Sequence, residues 1–467
     1  MRILKCLLAL VLLSNTVKSQ SLFSHGRLQV TKDGHFLQFA DKTPFFWLGD
    51  TGWELFHRLD LAEIKQYLDN RSAKGFTVIQ AVALAEFDGL RKPNRYGETP
   101  LRNINPAQPN EKYFQVIDST IHMAKTRNLF IGLLPTWGDK VTKMWGEGPV
   151  VFDSLNAYTY GKWIGNRYKK EQNIIWILGG DRPAVRDSND WRPIWRAMAK
   201  GIKEGTNNQA IIAYHPSGGT NSTSQWIHNE PWLDINMFQS GHGGGHDVAC
   251  WATTLRDFSY QPTKPTLDAE PNYEDHPVNP WPKWDTNNGY FRDYDVRKQT
   301  YRSVFAGACG VTYGHHAVWQ FMSAREEAIN YPDRGWINAM DRPGAFQVGY
   351  LRKLMQSRPL LNRIADSTLI INGQGEKSGY IQAFRALDNA FAMIYLPIGK
   401  TISVRTSLFK DKISAWWFNP KDGKCQKISV TEKKETMDFT PPTLGIGNDW
   451  VLVVDDASKG FGAPGLK

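Results

Sequence analysis

Ile174-Ile175-Trp176-Ile177-Leu178-Gly179-Gly180-Asp181 is an unbroken apolar run that ends on two glycines and an acid. Continuous runs of this kind fit strands buried on both faces, as in a parallel sheet. Seven more lie on either side of it, at residues 45–50, 76–84, 129–137, 210–216, 235–242, 265–270 and 310–319. Segments with helical period separate most of them. Residues 61–74 carry Leu61, Ile64, Leu68 and Ala73 behind a capping Asp60, and 111–127 carry Tyr113, Phe114, Ile117, Ile121 and Ala124. Residues 154–170, 191–203, 248–258 and 294–308 behave likewise. Eight such alternations predict an α/β fold, a (β/α)8 TIM barrel of roughly 310 residues. A doubly wound sheet would carry a glycine-rich nucleotide loop after its first strand. Leu48-Gly49-Asp50-Thr51-Gly52-Trp53 does not have that form.

The pattern changes after about residue 360. Short alternating runs at 368–371, 380–385, 390–396, 401–404, 413–418 and 450–454 are separated by Asn372-Gly373, Asp388-Asn389, Asn419-Pro420 and Asp422-Gly423 turns. They predict an antiparallel β-sandwich over 361–467. Residues 28–40 alternate around an Asp33-Gly34 turn and are expected to cap the bottom of a barrel spanning 20–360. Residues 1–19 read as a secretory signal, with Arg2 and Lys5, an apolar stretch from Leu7 to Leu13, and Val17-Lys18-Ser19 at the cleavage site. That stretch is too short to span a bilayer. The expectation is an exported monomer, periplasmic or secreted. Cys250, Cys309 and Cys425 remain after cleavage and allow at most one bridge, so no disulfide framework holds the fold.

The formal charge of +10 falls to about +7 when Arg2, Lys5 and Lys18 leave. That balance suits an anionic partner such as an acidic polysaccharide. The basic residues form no tract of the kind nucleic-acid binders use, so no nucleic-acid partner is expected. The 18 Trp are more than core filling needs, and flat aromatic faces suit the apolar C–H faces of sugars.

In such a barrel the reactive groups lie at the C-terminal ends of the strands. Taken in order, those ends offer Asp50 and Trp53; Gln80, Glu86 and Asp88; Trp137 and Asp139; Asp181 and Arg182. The second half offers Tyr214 and His215; Gln239 and His242; Glu270, Tyr273 and Glu274; Tyr313, His315, His316 and Trp319. Strands four and seven stand on opposite sides of the mouth, so Asp181 and Glu270 can face each other across a sugar. Glycoside cleavage needs such a pair, one carboxylic acid for the leaving oxygen and one carboxylate to attack or to activate water. We therefore expect Asp181 as general acid and Glu270 as nucleophile. Asp50, Gln80, His215, Gln239, His242, Tyr273, Tyr313 and His316 are expected to bond sugar hydroxyls, and Trp47, Trp53, Trp137 and Trp319 to stack. Arg182 is expected to pair with a substrate carboxylate, with Arg91, Lys92 and Arg95 near the same mouth. His242-Gly243-Gly244-Gly245-His246 is not expected to bind metal, because its glycines disfavour the helix that zinc motifs use. No serine nucleophile elbow is present and no cofactor is expected. The rival class is a carbohydrate-binding protein without catalysis, or a glycosidase of the same fold with another sugar specificity.

The motifs resemble glycoside hydrolase family 140. Phe46-Trp47-Leu48-Gly49-Asp50-Thr51, Ile175-Trp176-Ile177-Leu178-Gly179-Gly180-Asp181 and Tyr214-His215-Pro216-Ser217-Gly218-Gly219 carry the likeness. So do Asn236-Met237-Phe238-Gln239-Ser240-Gly241-His242, Asp268-Ala269-Glu270-Pro271-Asn272-Tyr273-Glu274 and Thr312-Tyr313-Gly314-His315-His316-Ala317-Val318-Trp319. The C-terminal module looks like the collagen-binding type that often follows this barrel. The resemblance implies an apiosidase, acting on the plant pectin rhamnogalacturonan II and cutting apiose-led side chains from the galacturonic acid backbone. It maps the acid/base onto Asp181 and the second carboxylate onto Glu270. Related retaining barrels carry Asn-Glu at strand four, where Gly180-Asp181 stands here.

Overall fold

The computed structural model describes residues 21–219, 221–278 and 284–466, so the expected signal at 1–19 lies outside the described residues. Eight parallel strands form one sheet: β1 (Trp47–Thr51), β2 (Val78–Val82), β3 (Phe130–Leu134), β4 (Ile174–Leu178), β5 (Ile212–Tyr214), β6 (Asn236–Phe238), β7 (Thr266–Asp268) and β8 (Gly310–Tyr313). Each pairs with its sequence neighbour from β1 to β5 and from β6 to β8, and β8 returns to β1. A parallel bridge between Ala213 and Ile235 joins the β5 and β6 sides and closes the barrel.

Alternation along each strand divides the apolar residues between two cores. Trp47, Val78, Val82, Phe130, Ile175, Ile177, Ala213, Met237 and Leu267 fill the barrel. Leu48, Ile79, Ile131, Trp176 and Ile212 face outward to the helices. Those helices are α1 (Leu61–Ala73), α2 (Glu111–Lys125), α3 (Ser154–Tyr168), α4 (Arg192–Gly205), α5 (Cys250–Phe258), α6 (Asp293–Phe305) and α7 (Pro343–Gln356). Asp60 and Asp153 close capping boxes at the starts of α1 and α3, which fixes where these helices begin. Among the described residues between β5 and β6, the short Ser224–Ile227 helix is the one helix that intervenes.

The hairpin of Leu28–Val30 and Leu37–Phe39 turns at Asp33-Gly34 and packs Phe39 and Phe45 against Phe130, the first residue of β3. It therefore covers the N-terminal end of the barrel and leaves the other end open to carry the site.

The C-terminal region is a two-layer antiparallel sandwich. Its strands are β9 (Arg363–Ala365), β10 (Ile370–Asn372), β11 (Gln382–Ala386), β12 (Phe391–Leu396), β13 (Ile402–Arg405), β14 (Lys412–Phe418), β15 (Cys425–Glu432), β16 (Thr436–Phe439) and β17 (Trp450–Asp456). The larger sheet runs β9-β11-β12-β17-β14-β15 and the smaller β10-β13-β16. Ile394, Leu452, Ile413 and Trp417 on one face of the larger sheet meet Ile402, Val404 and Phe439 of the smaller. Met393, Tyr395 and Val453 on its other face join the barrel's outer core. Tyr395 stacks on Tyr301 of α6 at 4.8 Å, and Phe384 meets Phe305 edge-on. Both faces of this sheet are buried, so barrel and sandwich share a core. Cys250, Cys309 and Cys425 are all free thiols. Among the described residues no helix is long and apolar enough to cross a membrane.

Candidate active site

β4 ends in three successive residues with positive φ: Gly179 at 93°, Gly180 at 64° and Asp181 at 57°. A side chain at Gly179 would meet the His215 carbonyl at 2.2 Å, and one at Gly180 the Gly138 nitrogen at 2.7 Å. Only glycine fits either place, and the left-handed turn they make swings Asp181 over the barrel mouth. Aspartate is among the few residues that tolerate that conformation.

The Asp181 side chain is 22% exposed. Its Oδ2 accepts the Trp145 indole N–H at 2.9 Å and lies 3.3 Å from Arg182 Nη1. Burial pushes its carboxyl up to about 6; Arg182 opposes this, the charge of Glu270 adds to it, and the Trp145 bond opposes it. Glu270 behaves in the other direction. Burial alone would raise it, but His215 and His242 outweigh burial and hold it down at about 2. His242 Nε2 lies 3.1 Å from Oε1, within hydrogen-bonding geometry. His215 Nε2 lies 3.1 Å from Oε2, close but outside good hydrogen-bond alignment. Two carboxyl groups in mutual electrostatic contact are thus driven apart in proton affinity, one toward the acid and one toward the anion.

Around the pair, Trp53 meets Trp137 at 5.3 Å and His215 edge-on at 5.3 Å. Tyr273 lies 4.3 Å from the His242 ring. Neither the buried Oε1 of Gln239 nor the buried hydroxyl of Tyr273, which lies close to Glu270, makes an aligned hydrogen bond. Trp319 lies beside Phe87. Trp53, Trp137, His215, His242 and Tyr273 are thus the expected residues whose contacts link them to Glu270.

Six other expected contacts have different work. Trp47 lies on the barrel floor and donates its indole N–H to Thr312 Oγ1 at 3.1 Å, so it stacks on no sugar. Gln80 is inside the barrel, with Nε2 on the Ala269 carbonyl at 3.1 Å and Oε1 taking the Thr312 hydroxyl. Asp50 points outward and takes Arg71 and the Tyr67 hydroxyl, both at 2.5 Å and fully buried. Tyr313 also points outward and donates to Glu274 at 2.6 Å. His316 bonds the Asn330 carbonyl and the Trp319 indole, and burial lowers it to about 3. Arg182 is buried, with Nη1 on the Asp181 carbonyl, Nε on that of Thr142 and Nη2 on that of Lys143. Its donors hold the loop after β3 in place of a substrate carboxylate. Nearby, Arg91 pairs with Asp88 at 2.9 Å, while Lys92 and Arg95 are exposed.

Trp145 was not among the expected residues. It sits eleven residues beyond β3, in an irregular loop where no periodicity marks it. The one sequence signal is a lone tryptophan between Lys143-Met144 and Gly146-Glu147-Gly148. Glu86, in the loop after β2, is raised well above the usual carboxylate range by loss of solvent and by the charges of Glu54, Asp139 and Asp181. It adds a further carboxyl group to the same mouth. His246 pairs with Asp295 at 2.8 Å while His242 faces Glu270, so the two histidines do not converge. Among the described residues no group of three or more His, Cys, Asp or Glu could hold a metal ion.

A TIM barrel with carboxyl groups just beyond β4 and β7 has the arrangement that glycoside cleavage needs, and comparison with known proteins shows the family. Residues 31–362 match the family model described as "Apiosidase-like, catalytic domain", and the chain belongs to this apiosidase-like family. Residues 364–455 match a model named for the collagen-binding domain of a collagenase. A solved structure called "Glycoside hydrolase" is 33% identical with a TM-score of 0.86, covering 95% of this chain and all of its own. A glycoside hydrolase family 5 crystal structure from Bacteroides vulgatus ATCC 8482 is 30% identical with a TM-score of 0.86, covering 95% of this chain and 96% of its own. A further structure from that organism, 14% identical with a TM-score of 0.66 over 94% of this chain and 83% of its own, shares the fold alone. No curated protein sequence matches the chain significantly.

Proposed function

We propose that this glycoside hydrolase is an exported apiosidase that releases apiose-led side chains from the galacturonic acid backbone of rhamnogalacturonan II with retention of configuration. The observation that carries the catalytic reading is the divergence of Asp181, at about 6, from Glu270, at about 2. Asp181, protonated over part of the neutral range, gives its proton to the glycosidic oxygen as the bond to the anomeric carbon breaks. Glu270, already ionised, attacks that carbon from the opposite face. Asp181, now a carboxylate, takes a proton from water, which displaces Glu270 and restores both groups. The hydrogen bond from His242 orients the nucleophile. Trp53, Trp137 and Trp319 supply the apolar walls, and Gln239 and Tyr273 buried polar atoms without an aligned hydrogen bond.

The sugar rests on the family resemblance, and the anionic backbone suits the basic chain and the exposed Lys92, Arg95 and Lys143 at the loops. Incubation with rhamnogalacturonan II oligosaccharides should release side chains bearing apiose at the new reducing end. NMR of the first-formed anomer should show retention; the opposite anomer would make Glu270 a base that activates water. Equal kcat/KM on carboxyl-reduced substrate would remove the charge argument and leave the glycosidase standing.

A further inference from the structure

The loop between β3 and α3, residues 138–153, is held from below. Arg182 bonds the carbonyls of Thr142 and Lys143, and Asp139 Oδ2 takes the Gly148 N–H at 2.9 Å. Gly146 sets its path, because a Cβ there would meet Asp139 Cβ at 2.5 Å and Arg182 Nη2 at 2.6 Å. The loop so fixed delivers Trp145 to a particular place. Its ring centroid lies 4.2 Å from the Arg182 guanidinium carbon and its N–H reaches Asp181. Yet Trp145 is 48% exposed, the most exposed described tryptophan among the large apolar side chains at the surface. A tryptophan with its polar edge satisfied and one side on a cation has no folding reason to leave so much ring in water. The free ring borders the carboxyl that protonates the departing oxygen, so it borders the departing group. Sugar C–H faces match such a surface.

We propose that Trp145 is a positioning and specificity-determining residue: its indole N–H fixes the Asp181 carboxyl, and its exposed face receives the sugar on the leaving-group side of the scissile bond. This rests on Asp181 being the acid. The N–H bond also favours the ionised carboxyl, against burial and the charge of Glu270, and alongside Arg182 and His215. Removing it raises the pH at which the acid loses its proton.

The test compares Trp145→Phe, Trp145→Ala and Asp181→Asn, each first checked for a cooperative melting transition that shows a folded protein. On a pectic oligosaccharide, Trp145→Phe should move the alkaline limb of kcat/KM up by about half to one pH unit and lower kcat about tenfold, with KM changed less than about twofold. Trp145→Ala should add a rise in KM of about tenfold, because the platform is gone. On nitrophenyl apioside, whose leaving group needs little protonation, Trp145→Phe should lose much less kcat/KM than it loses on the oligosaccharide. An unmoved alkaline limb in Trp145→Phe, or an unmoved KM in Trp145→Ala, overturns the proposal. If Trp145→Ala fails to fold, the limb and leaving-group results from Trp145→Phe decide. Loss of activity in Asp181→Asn beside an unmoved Trp145→Phe profile removes only the Trp145 role; full turnover in Asp181→Asn removes the acid assignment itself.

Discussion

His242 Nε2 lies 3.1 Å from Glu270 Oε1, while His242 Nδ1 faces the backbone N–H of Tyr273 at 3.4 Å. An N–H can only donate, so Nδ1 is the acceptor and the ring proton sits on Nε2. The histidine therefore presents Nε2–H to the nucleophile, and the orientation of its ring is set by the chain that immediately follows Glu270. A second ring face stacks on His276 at 4.4 Å, and burial keeps His276 well below the usual histidine range. His242 is thus locked in angle as well as in proton placement.

His242→Ala removes that donor and leaves burial of Glu270 less opposed, so its carboxyl rises from about 2. The nucleophile works only when ionised, so activity is lost as pH falls through that value. The acid limb of kcat/KM should move up by about one to two pH units. At neutral pH the loss should be about 10- to 100-fold, from a nucleophile no longer held in line. A pH–rate profile with an unmoved acid limb would assign the ionisation of Glu270 to His215 alone.

Asp181 carries a cost that stability measurements can read. Its folded carboxyl, at about 6, is raised above the ordinary value, so the fold favours the protonated form. Stability is fully present below the unfolded value, near 3.8, and falls as pH rises through about 6. Asp181→Asn removes the ionisation. It should lower turnover by about 10²- to 10⁴-fold. It should also stabilise the protein by about 1–3 kcal/mol at pH 8 and by little at pH 4. Thermal melts of the two proteins at both pH values check this, and an equal effect at both would mean that the carboxyl is not buried in charged form.

The strand runs of this chain are legible because a parallel barrel buries both faces of every strand, which leaves continuous apolar words such as Ile174–Leu178. The acid at the end of that word is legible for a covalent reason: two glycines before it announce a turn. What alternation does at each strand end is harder to read. Asp50 and Gln80 both stand at C-terminal ends, but Asp50 faces α1 and Gln80 faces the barrel axis below the site. One residue of register separates a substrate contact from a structural ion pair. Trp145 lies further from legibility, since its position depends on Gly146 packing against Asp139 and Arg182, a contact between distant parts of the chain.

Asp50 and Trp53 divide frame from site. Asp50→Ala leaves Arg71 charged and buried, and breaking such a pair costs about 3–5 kcal/mol. The protein should melt far earlier while any folded fraction keeps its KM. Trp53→Ala opens the wall beside His215 and Trp137, so KM should rise as well as the melting point fall. Matched KM values for the two variants would place Trp53 in the frame.

Arg297 of α6 grips Asp449 of the sandwich with Nε at 2.8 Å and Nη2 at 3.0 Å, and Tyr395 donates to the same carboxylate at 3.2 Å. Arg358 makes a second two-pronged pair with Asp455, at 2.8 and 2.7 Å. Both pairs lie in the core that barrel and sandwich share, so the two should unfold as one cooperative unit. Asp449→Ala leaves the Arg297 charge in that core with Asp293 as its one remaining carboxylate, at 2.6 Å, so the loss should fall below the about 3–5 kcal/mol of a fully unpaired buried charge. Because it falls at the seam, the single melting transition should split, with the sandwich unfolding first. Replacing both partners, as Arg297→Met with Asp449→Leu, removes the buried Arg297 charge and should recover part of the loss, with the half-buried Asp293 left to solvent and Gln347. Calorimetry of the three proteins distinguishes a seam held by the ion pair from one held by Tyr301, Tyr395, Phe305 and Phe384 alone. In the second case Asp449→Ala would melt lower, but still in one step.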